Sequence, residues 1–356
     1  SLQDSTRVFL SPFGEKPDLY GISSSGETMR VLVTGSSGFV GSHLVEELVR
    51  QKYTVRILLR SGSAPKWLKD LPLETVSASY QDGAALRKAI DKVDIIFHVG
   101  GVTKALTPAG YLDGNAVPTK ALLEAVVASK KKLKRFVLVS SHAMIGPVAS
   151  PTESSCEDDV PHPVEEYGRS KLIAELVARS YSHLVPITIV RPPTVYGPRD
   201  VDCFEIFRMI DKGINLYYGN AKKYTSLIHV EDLVRGMIQA ATSKQAVNRA
   251  YFLCNDQAVT WKEFQTAVKK VMRKRALTLY VPSFTTRIAV FFGELSMKFT
   301  KRPVILNREK AKLGRPSYWI ASNKRARREL RFNPEYSMEE GLAMTWRWYK
   351  QNGWLK

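Results

Sequence analysis

Thr34-Gly35-Ser36-Ser37-Gly38-Phe39-Val40-Gly41 follows a short apolar run at residues 30–34 (RVLVT) and opens a helix-period segment over 39–51. In a strand–turn–helix of this kind the first glycine permits the tight turn. The second lets backbone approach a pyrophosphate, and the third lets helix and strand pack closely. The helix N-terminus then offers unpaired N–H groups to the anion. Glycines alone mark many turns; the context is what points to a dinucleotide. The cofactor contacts expected here are Gly35, Ser37, Gly38, Phe39, Val40 and Gly41.

Outward from this turn the alternation continues. Continuous apolar runs predict strands at 54–59, 74–78, 94–99, 136–140 and 187–190, separated by helical periods at 84–91, 116–129 and 164–181. Apolar strands alternating with amphipathic helices predict an α/β, doubly wound parallel sheet covered on both faces, a Rossmann sheet. Past Pro198 the regularity fades. Residues 228–230, 250–254 and 278–281 read as strands, Thr260 caps a helix to about Arg273, and Ser337 with Glu340 forms a capping box for a last helix. This predicts a smaller mixed α/β C-terminal substrate-binding region. The expected organisation is a loosely ordered polar extension at 1–28, a dinucleotide-binding domain at 29–200 and 226–256, and a substrate region at 201–225 and 257–356.

Composition narrows the class. With 356 residues, 44% apolar and 24% charged, the chain has the content of a folded domain and not of a disordered one. Its cysteines, Cys156, Cys203 and Cys254, lie far apart without a CxxC pair, which excludes a disulfide scaffold and a cysteine metal site and predicts a cytoplasmic setting. No apolar run is long enough to span a bilayer, and no signal peptide is recognised. The formal charge is +19, and residues 222–356 hold 27 basic against 10 acidic side chains. Such a back third suits an anionic surface, so peripheral contact with an anionic membrane is one expectation; a merely solvated basic face is the other.

The end of the second strand addresses the choice of dinucleotide. An NAD enzyme places a carboxylate there for the ribose 2′-hydroxyl. This chain has Leu59 and then Arg60. A 2′-phosphate needs a cation, so NADP(H) is favoured over NAD(H) unless Arg60 is only a surface residue past the strand.

Tyr167-Gly168-Arg169-Ser170-Lys171 puts a phenol and an ammonium on one helix face. A phenol titrates near ~10 in water. A neighbouring ammonium, aided by the positive charge of an oxidised nicotinamide, favours the phenolate and is expected to lower that value. Ser140 and Ser141 end the strand upstream, where a hydroxyl can hold a substrate oxygen.

By these motifs, residues 29 to about 350 resemble the extended short-chain dehydrogenase/reductases, the NAD-dependent epimerase/dehydratase family. Phe97-His98-Val99-Gly100-Gly101 is similar to its F-H-x-A-A, and Gly114-Asn115-Ala116-Val117-Pro118-Thr119 to its N-V-x-G-T. Arg191 to Pro198 matches R-P-x-x-V-Y-G-P, and Ile228 to Leu233 matches H-V-x-D-L. The resemblance implies a catalytic set of Ser141, Tyr167, Lys171 and Asn115. Tyr167 is then the acid/base, Lys171 binds the nicotinamide ribose, Ser141 holds the substrate, and Asn115 is structural. It also places Ser79, Tyr80, Val99, Gly100, Gly101, Ser140, Pro193 and Val195 along the cofactor. Ser79 stands where the family usually has an adenine-contacting Asp, so adenine is expected to be held differently. His98 and His229 read as structural. Dimerisation through the helices carrying Asn115 and Tyr167 is a further implication.

The fold supports several reactions, so the choice rests on single positions. His142-Ala143 replace the acidic pair of a dehydratase, and Thr225-Ser226-Leu227 replace the R-D-F of many sugar epimerases, with Lys222 and Lys223 upstream. The nearest branch is that of 3β-hydroxysteroid dehydrogenases and dihydroflavonol reductases. A Phe- and Met-rich helical candidate at 287–299 suits an apolar substrate or ordinary core packing. The reading is an NAD(P)-dependent oxidoreductase acting on a secondary alcohol or ketone of a small apolar molecule, with a nucleotide-sugar epimerase as the alternative. A catalytically silent binding protein is the third option. Basic clusters at 130–135, 269–275 and 324–331 suit phosphates, yet a pure binder has no use for Ser141, Tyr167 and Lys171, so nucleic acid is disfavoured as a partner.

Overall fold

A computed structural model describes residues 28–60, 62–130, 132–218, 220–281 and 316–355. Residues 1–27 of the extension predicted at 1–28, and the helical candidate at 287–299, lie outside the described residues.

Seven strands form one sheet: β1 (Arg30–Thr34), β2 (Thr54–Leu59), β3 (Glu74–Ser77), β4 (Ile95–His98), β5 (Arg135–Val139), β6 (Ile187–Arg191) and β11 (Arg249–Phe252). Their order is β11-β6-β5-β4-β1-β2-β3, and every neighbouring pair is parallel. The central strands are largely apolar because both faces are covered, whereas the edge strand β3 is half-exposed. Val31 and Val33 of β1 join Ile95 and Phe97 of β4 in one core, while Leu32 and Ile96 enter the other. Helices α1 (Phe39–Arg50) and α6 (Val230–Thr242) close the first face with Leu44, Val45, Leu48, Leu233 and Met237. Helices α2 (Gly83–Ile90), α3 (Pro108–Ala128) and α4 (Glu166–Ser180) close the second with Leu86, Leu122, Val126 and Ala178. Each such fully buried Val, Leu or Met side chain contributes about 1.5–3 kcal/mol of transfer free energy.

The sheet order reverses between β1 and β4, and a doubly wound sheet opens a crevice at the carboxyl ends of the strands flanking such a switch. Over that edge sits the smaller lobe. Strands β7 (Thr194–Tyr196) and β10 (Leu227–His229) pair in parallel, and β9 (Tyr224–Thr225) lies between β12 (Val259–Thr260) and β14 (Tyr318–Trp319). Strand β8 (Ile214–Tyr218) pairs with β13 (Leu277–Val281). Helices α5 (Val201–Asp211), α7 (Trp261–Met272) and α9 (Met338–Gln351) complete it, while α8 (Lys324–Leu330) packs Ala326 and Leu330 into the core on the first face of the large sheet. The core of the smaller lobe is aromatic: Tyr349 stacks on Trp354 at 5.4 Å and meets Phe204 and Phe207 edge-on. The expected cap at Thr260 forms, as a capping box with Glu263, and so does the expected Ser337–Glu340 box.

Three sequence expectations need correction. The helix expected at 116–129 begins at Pro108: Thr107 caps it by accepting from the Gly110 N–H at 3.1 Å, and Pro fits a first turn that needs no donor. Residue 230, read as strand, instead starts α6, whose first turn carries Glu231 and Asp232. The fading regularity after Pro198 conceals α5, capped by Asp200 and burying Cys203, Phe207 and Ile210 at helical spacing.

Among the described residues, part of the basic back third is tied to carboxylates. Arg325 pairs with Asp158, Arg327 with Asp256, and Lys270 with Glu339 at 2.7 Å. Arg135, at the end of the first basic cluster, is buried and bonds the Thr188 hydroxyl and the Ala240 and Ser243 carbonyls.

Candidate active site

A cleft of about 850 Å³ opens along the carboxyl edge of the sheet. At its floor Gly35 has φ +71°, and a Cβ there would lie 2.6 Å from Gly100. A Cβ on Gly41 would lie 2.1 Å from the Gly35 carbonyl oxygen. The turn therefore packs backbone on backbone, and a side chain at either position would fill the cradle. Gly38 caps α1 without a side-chain bond, and the first turn of α1 holds no acid. The turn thus presents N–H groups and the positive helix end to the cleft.

Tyr80 lines the same end beside Arg60. Burial pushes the Tyr80 phenol up, while a bond to Thr34 and the Arg60 charge pull it down. Arg60 is exposed and faces the cleft, as does Ser63. Ser79 does not line the cleft: it is exposed, and its hydroxyl pairs with Gln81 and accepts from the Gln81 N–H, shaping the turn into α2. Val99, Gly100 and Gly101 form the wall after β4, and Ser140, Pro193 and Val195 line the cleft further along.

Tyr167 and Lys171 meet at the centre, the Lys171 Nζ lying 6.0 Å from the phenol ring centroid. The Ser141 side chain bonds Tyr167 and also accepts from the Ala143 N–H at 3.2 Å. Lys171 donates to the Val139 carbonyl at 3.0 Å and is buried. Desolvation lowers it to about 8, opposed by Glu175. Burial raises the Tyr167 phenol to about 12, partly offset by the Ser141 bond, with Glu165 adding to the rise. The expected lowering is thus not supplied by the protein's own groups: desolvation outweighs an ammonium that stands beyond the ring.

Asn115 stands behind the wall. It accepts from the Val102 N–H and donates to the Val102 carbonyl, both at 3.0 Å, and donates to Ser170 Oγ at 2.9 Å. It fixes the backbone after β4 against α4. His98 joins Thr34 at 2.7 Å and Thr119 at 3.2 Å, and burial lowers it to about 3, so its imidazole is neutral and structural. His229 is wholly buried between Tyr196 and Tyr336 rings, away from the cleft.

The far half of the cleft is walled by residues that sequence reasoning missed: Cys203 and Ile206 of α5, Trp261 of α7 and Trp319 of β14, facing Pro192, Pro193 and Thr194. Trp261 directly follows the cap Thr260 and was within reach of that signal. Trp319 sits in a two-residue strand with no period to read. Among the described residues, the basic side chains lining the cleft are Arg60 and Lys171, neither of them in this half. Lys222 and Lys223 do not line it. No group of three or more potential metal ligands occurs among the described residues.

The fold and this cleft define an NAD(P)-dependent enzyme of the extended short-chain dehydrogenase/reductase class. Residues 31–254 match the model of the NAD dependent epimerase/dehydratase family, and the chain belongs to that family. It is similar to the ceramide reductase of Caulobacter vibrioides, 26% identical over 327 residues that cover 91% of this chain and 96% of that protein. It is equally similar to a probable UDP-glucuronate 4-epimerase of Rhizobium meliloti, 26% identical over 349 residues covering 91% and 98%. The solved structure of UDP-glucuronic acid 4-epimerase from Bacillus cereus, in complex with UDP-glucuronic acid and NAD, shares the fold with a TM-score of 0.74 at 22% identity, covering 91% of this chain and all of that one.

Proposed function

We propose that this protein interconverts a secondary alcohol and a ketone on a mostly apolar small molecule, in the manner of the 3β-hydroxysteroid dehydrogenase and dihydroflavonol reductase branch. The observation that carries this reading is the far half of the cleft, with Trp261, Trp319, Ile206 and Pro193 on its walls and no cation among the described residues there. A nucleotide diphosphate calls for bidentate guanidinium or clustered ammonium groups; a ring system or acyl chain calls for aromatic and aliphatic walls. The likeness to a ceramide reductase supports the same choice.

The residues present fit a dinucleotide: the glycine cradle leaves no room for side chains, and its helix end offers N–H groups. Gly35, Ser37, Gly38, Phe39, Val40 and Gly41 would hold the pyrophosphate, Arg60 the 2′-phosphate of NADP(H), and Tyr80 the adenine end. Val99, Gly100, Gly101, Ser140, Pro193 and Val195 would line the nicotinamide side. When bound, the nicotinamide supplies or accepts the hydride. In the reductive direction Tyr167 gives its proton to the carbonyl oxygen, which Ser141 holds in place. Lys171 would hold the nicotinamide ribose, and its charge would favour the phenolate left behind. Asn115 keeps the wall in register.

The substrate lobe is assigned to 201–225 and 257–356, and the cofactor domain to 29–200 and 226–256. Val117 and Val127 of α3 and Ile173 and Leu176 of α4 are exposed apolar side chains suited to pairing with a second copy. Among the described residues no helix is long and apolar enough to cross a membrane. We infer a cytoplasmic protein whose basic back third touches anionic membranes, each cation contributing up to ~1 kcal/mol. Co-sedimentation should show binding to anionic but not neutral vesicles, fading as salt shortens the Debye length to about 3 Å at 1 M. Equal binding to both would remove the electrostatic reading.

The decisive experiment is a panel of sterols, flavonoid-like ketones, long-chain keto compounds and UDP-sugars, followed at the nicotinamide absorbance. Net turnover of an apolar ketone or alcohol is the expected result. Conversion of a UDP-sugar without net change in the nicotinamide would place the chain with the epimerases instead.

A further inference from the structure

The loop that carries Arg60 is held from its far end. Among the described residues the Arg60 guanidinium has no hydrogen-bond or carboxylate partner, so its place at the cleft rim is set by the chain that bears it. That chain is tightly folded. The Ser63 N–H donates to the Arg60 carbonyl at 3.0 Å, the Lys66 N–H to that of Ala64 at 2.9 Å, and the Leu68 N–H to that of Pro65 at 2.9 Å. Leu68 is buried in the core on the first face of the large sheet, and Trp67 packs partly buried against that core.

Trp67 is where this loop meets the rest of the molecule. The Arg199 guanidinium lies over its ring at 5.1 Å, and Trp348 of α9 meets the ring edge-on at 5.4 Å. Lys66, its neighbour in the chain, stands over it at 4.6 Å. Arg199 is itself fastened to α1, donating to Ser42 Oγ at 3.0 Å and to Glu46 Oε1 at 2.6 Å. Its backbone is left-handed, with φ +73°, an unfavourable conformation for a residue with a side chain. The flanking residues impose it. The Pro198 carbonyl bonds His43 Nε2 of α1 at 2.9 Å, and the Asp200 carbonyl accepts from the Tyr349 hydroxyl of α9 at 2.6 Å.

Packing alone does not call for this arrangement. An aliphatic side chain at position 67 would cover the core without a guanidinium held in a left-handed segment. A guanidinium lying over an indole adds direction: it fixes the ring plane, and with it the course of the turns that lead back to Arg60. The clasp also rests on both parts of the molecule, since Arg199 is bonded to α1 and Trp348 packs against the aromatic core of the smaller lobe.

We propose that Trp67, clasped between Arg199 and Trp348, is a positioning residue that holds Arg60 at the rim and thereby sets the preference of the site for NADP(H) over NAD(H). This rests on the proposed role of Arg60 at the 2′-phosphate. With the clasp gone, the guanidinium samples other places, and binding a 2′-phosphate must first order the loop. A nucleotide without that phosphate does not draw on Arg60.

The test needs no substrate. NADPH and NADH are titrated by nucleotide fluorescence against the full chain and its variants. Trp67→Leu keeps apolar cover over the core and removes the ring. It should weaken NADPH about 3- to 30-fold, the worth of a cation–π contact, and change NADH less than about twofold. Trp67→Phe, which keeps a ring under the guanidinium, should restore most of the difference. In Arg60→Ala/Trp67→Leu, NADPH affinity should be no lower than in Arg60→Ala alone, because the second change then has nothing to position. Arg199→Met reaches the clasp from the other side and should show the same NADPH-selective loss, which keeps the test available if Trp67→Leu folds poorly. Equal losses for both nucleotides in the folded variants, or additive losses in the double variant, would make Trp67 a packing residue only and overturn the proposal. Arg60→Ala separates this from a failure of the underlying reading. A NADPH-selective loss there with none in Trp67→Leu overturns the clasp alone; equal losses in Arg60→Ala overturn the role of Arg60 and the proposal with it.

Discussion

On the cofactor side of the cleft, the walls are the ends of β1, β4 and β5 and the turn into α1, all set by a sheet whose central strands are buried on both faces. On the substrate side, the walls come from α5, the first residue of α7 and the two-residue β14, elements joined by pairings of only two or three residues. The cofactor side is dictated by backbone: at Gly35 and Gly41 there is no space for a Cβ. The substrate side is dictated by side chains, and Trp319 or Ile206 can change size without disturbing the sheet. The first must receive one invariant molecule; the second is free to vary with the substrate.

The largest effect expected on the cofactor side is that of Tyr167→Phe. The ring still packs beside Lys171, while the hydroxyl bonded to Ser141 is lost. Cofactor affinity should stay near wild type and kcat should fall by about 10²–10⁴, the usual contribution of a general acid. Steady-state kinetics with the best substrate of the panel decide it. A variant keeping more than about a tenth of wild-type kcat would remove Tyr167 from the proton-transfer role.

The next effect probes the rim of the same side. Arg60 is exposed and close enough to act on Tyr80. Arg60→Ala should weaken NADPH by roughly 1.5–3 kcal/mol, about 10- to 150-fold, and leave NADH nearly unchanged. Titrating both reduced nucleotides measures it. Equal losses would show that Arg60 does not read the 2′-phosphate.

The same division explains what was legible in the sequence. The β1 turn could be read because glycine at Gly35, Gly38 and Gly41 has a backbone reason, and because strands covered on both faces are uniformly apolar. Tyr167, Lys171 and Ser141 were legible as types at fixed spacing, and they do meet. The direction of the Tyr167 shift was not, since spacing carries no information about desolvation, and burial drives the phenol up. The local pairing of Ser79 with Gln81 was not legible either, since it depends on the shape of the turn into α2. Helix α5 was present in the spacing of Cys203, Phe207 and Ile210 but hidden by the proline- and glycine-rich approach to it. Strand β14 had no such trace: two residues carry no period, and Tyr318 and Trp319 find their place through the β9 pairing across a gap of more than ninety residues.

The smallest effect belongs to the substrate side and bears on which molecule enters it. Trp319 is part-buried at the cleft wall, with its ring edge-on to His142 at 5.6 Å. His142 is itself buried, lowered to about 3 by desolvation, and therefore an uncharged neighbour. Trp319 thus offers a substrate an apolar face and no charge. Trp319→Ala removes that face in ground state and transition state alike, so KM for an apolar ketone should rise about 5- to 20-fold, the equivalent of ~1–2 kcal/mol of lost apolar contact, with kcat nearly unchanged. His142 loses a ring contact and keeps its Ser155 partner at 3.3 Å, so the floor of the site should hold. The cofactor titrations should be unaffected, because the sheet edge does not depend on β14. If instead NADPH affinity fell as much as KM rose, the two sides of the cleft would be mechanically one, and the substrate wall could not vary independently of the cradle.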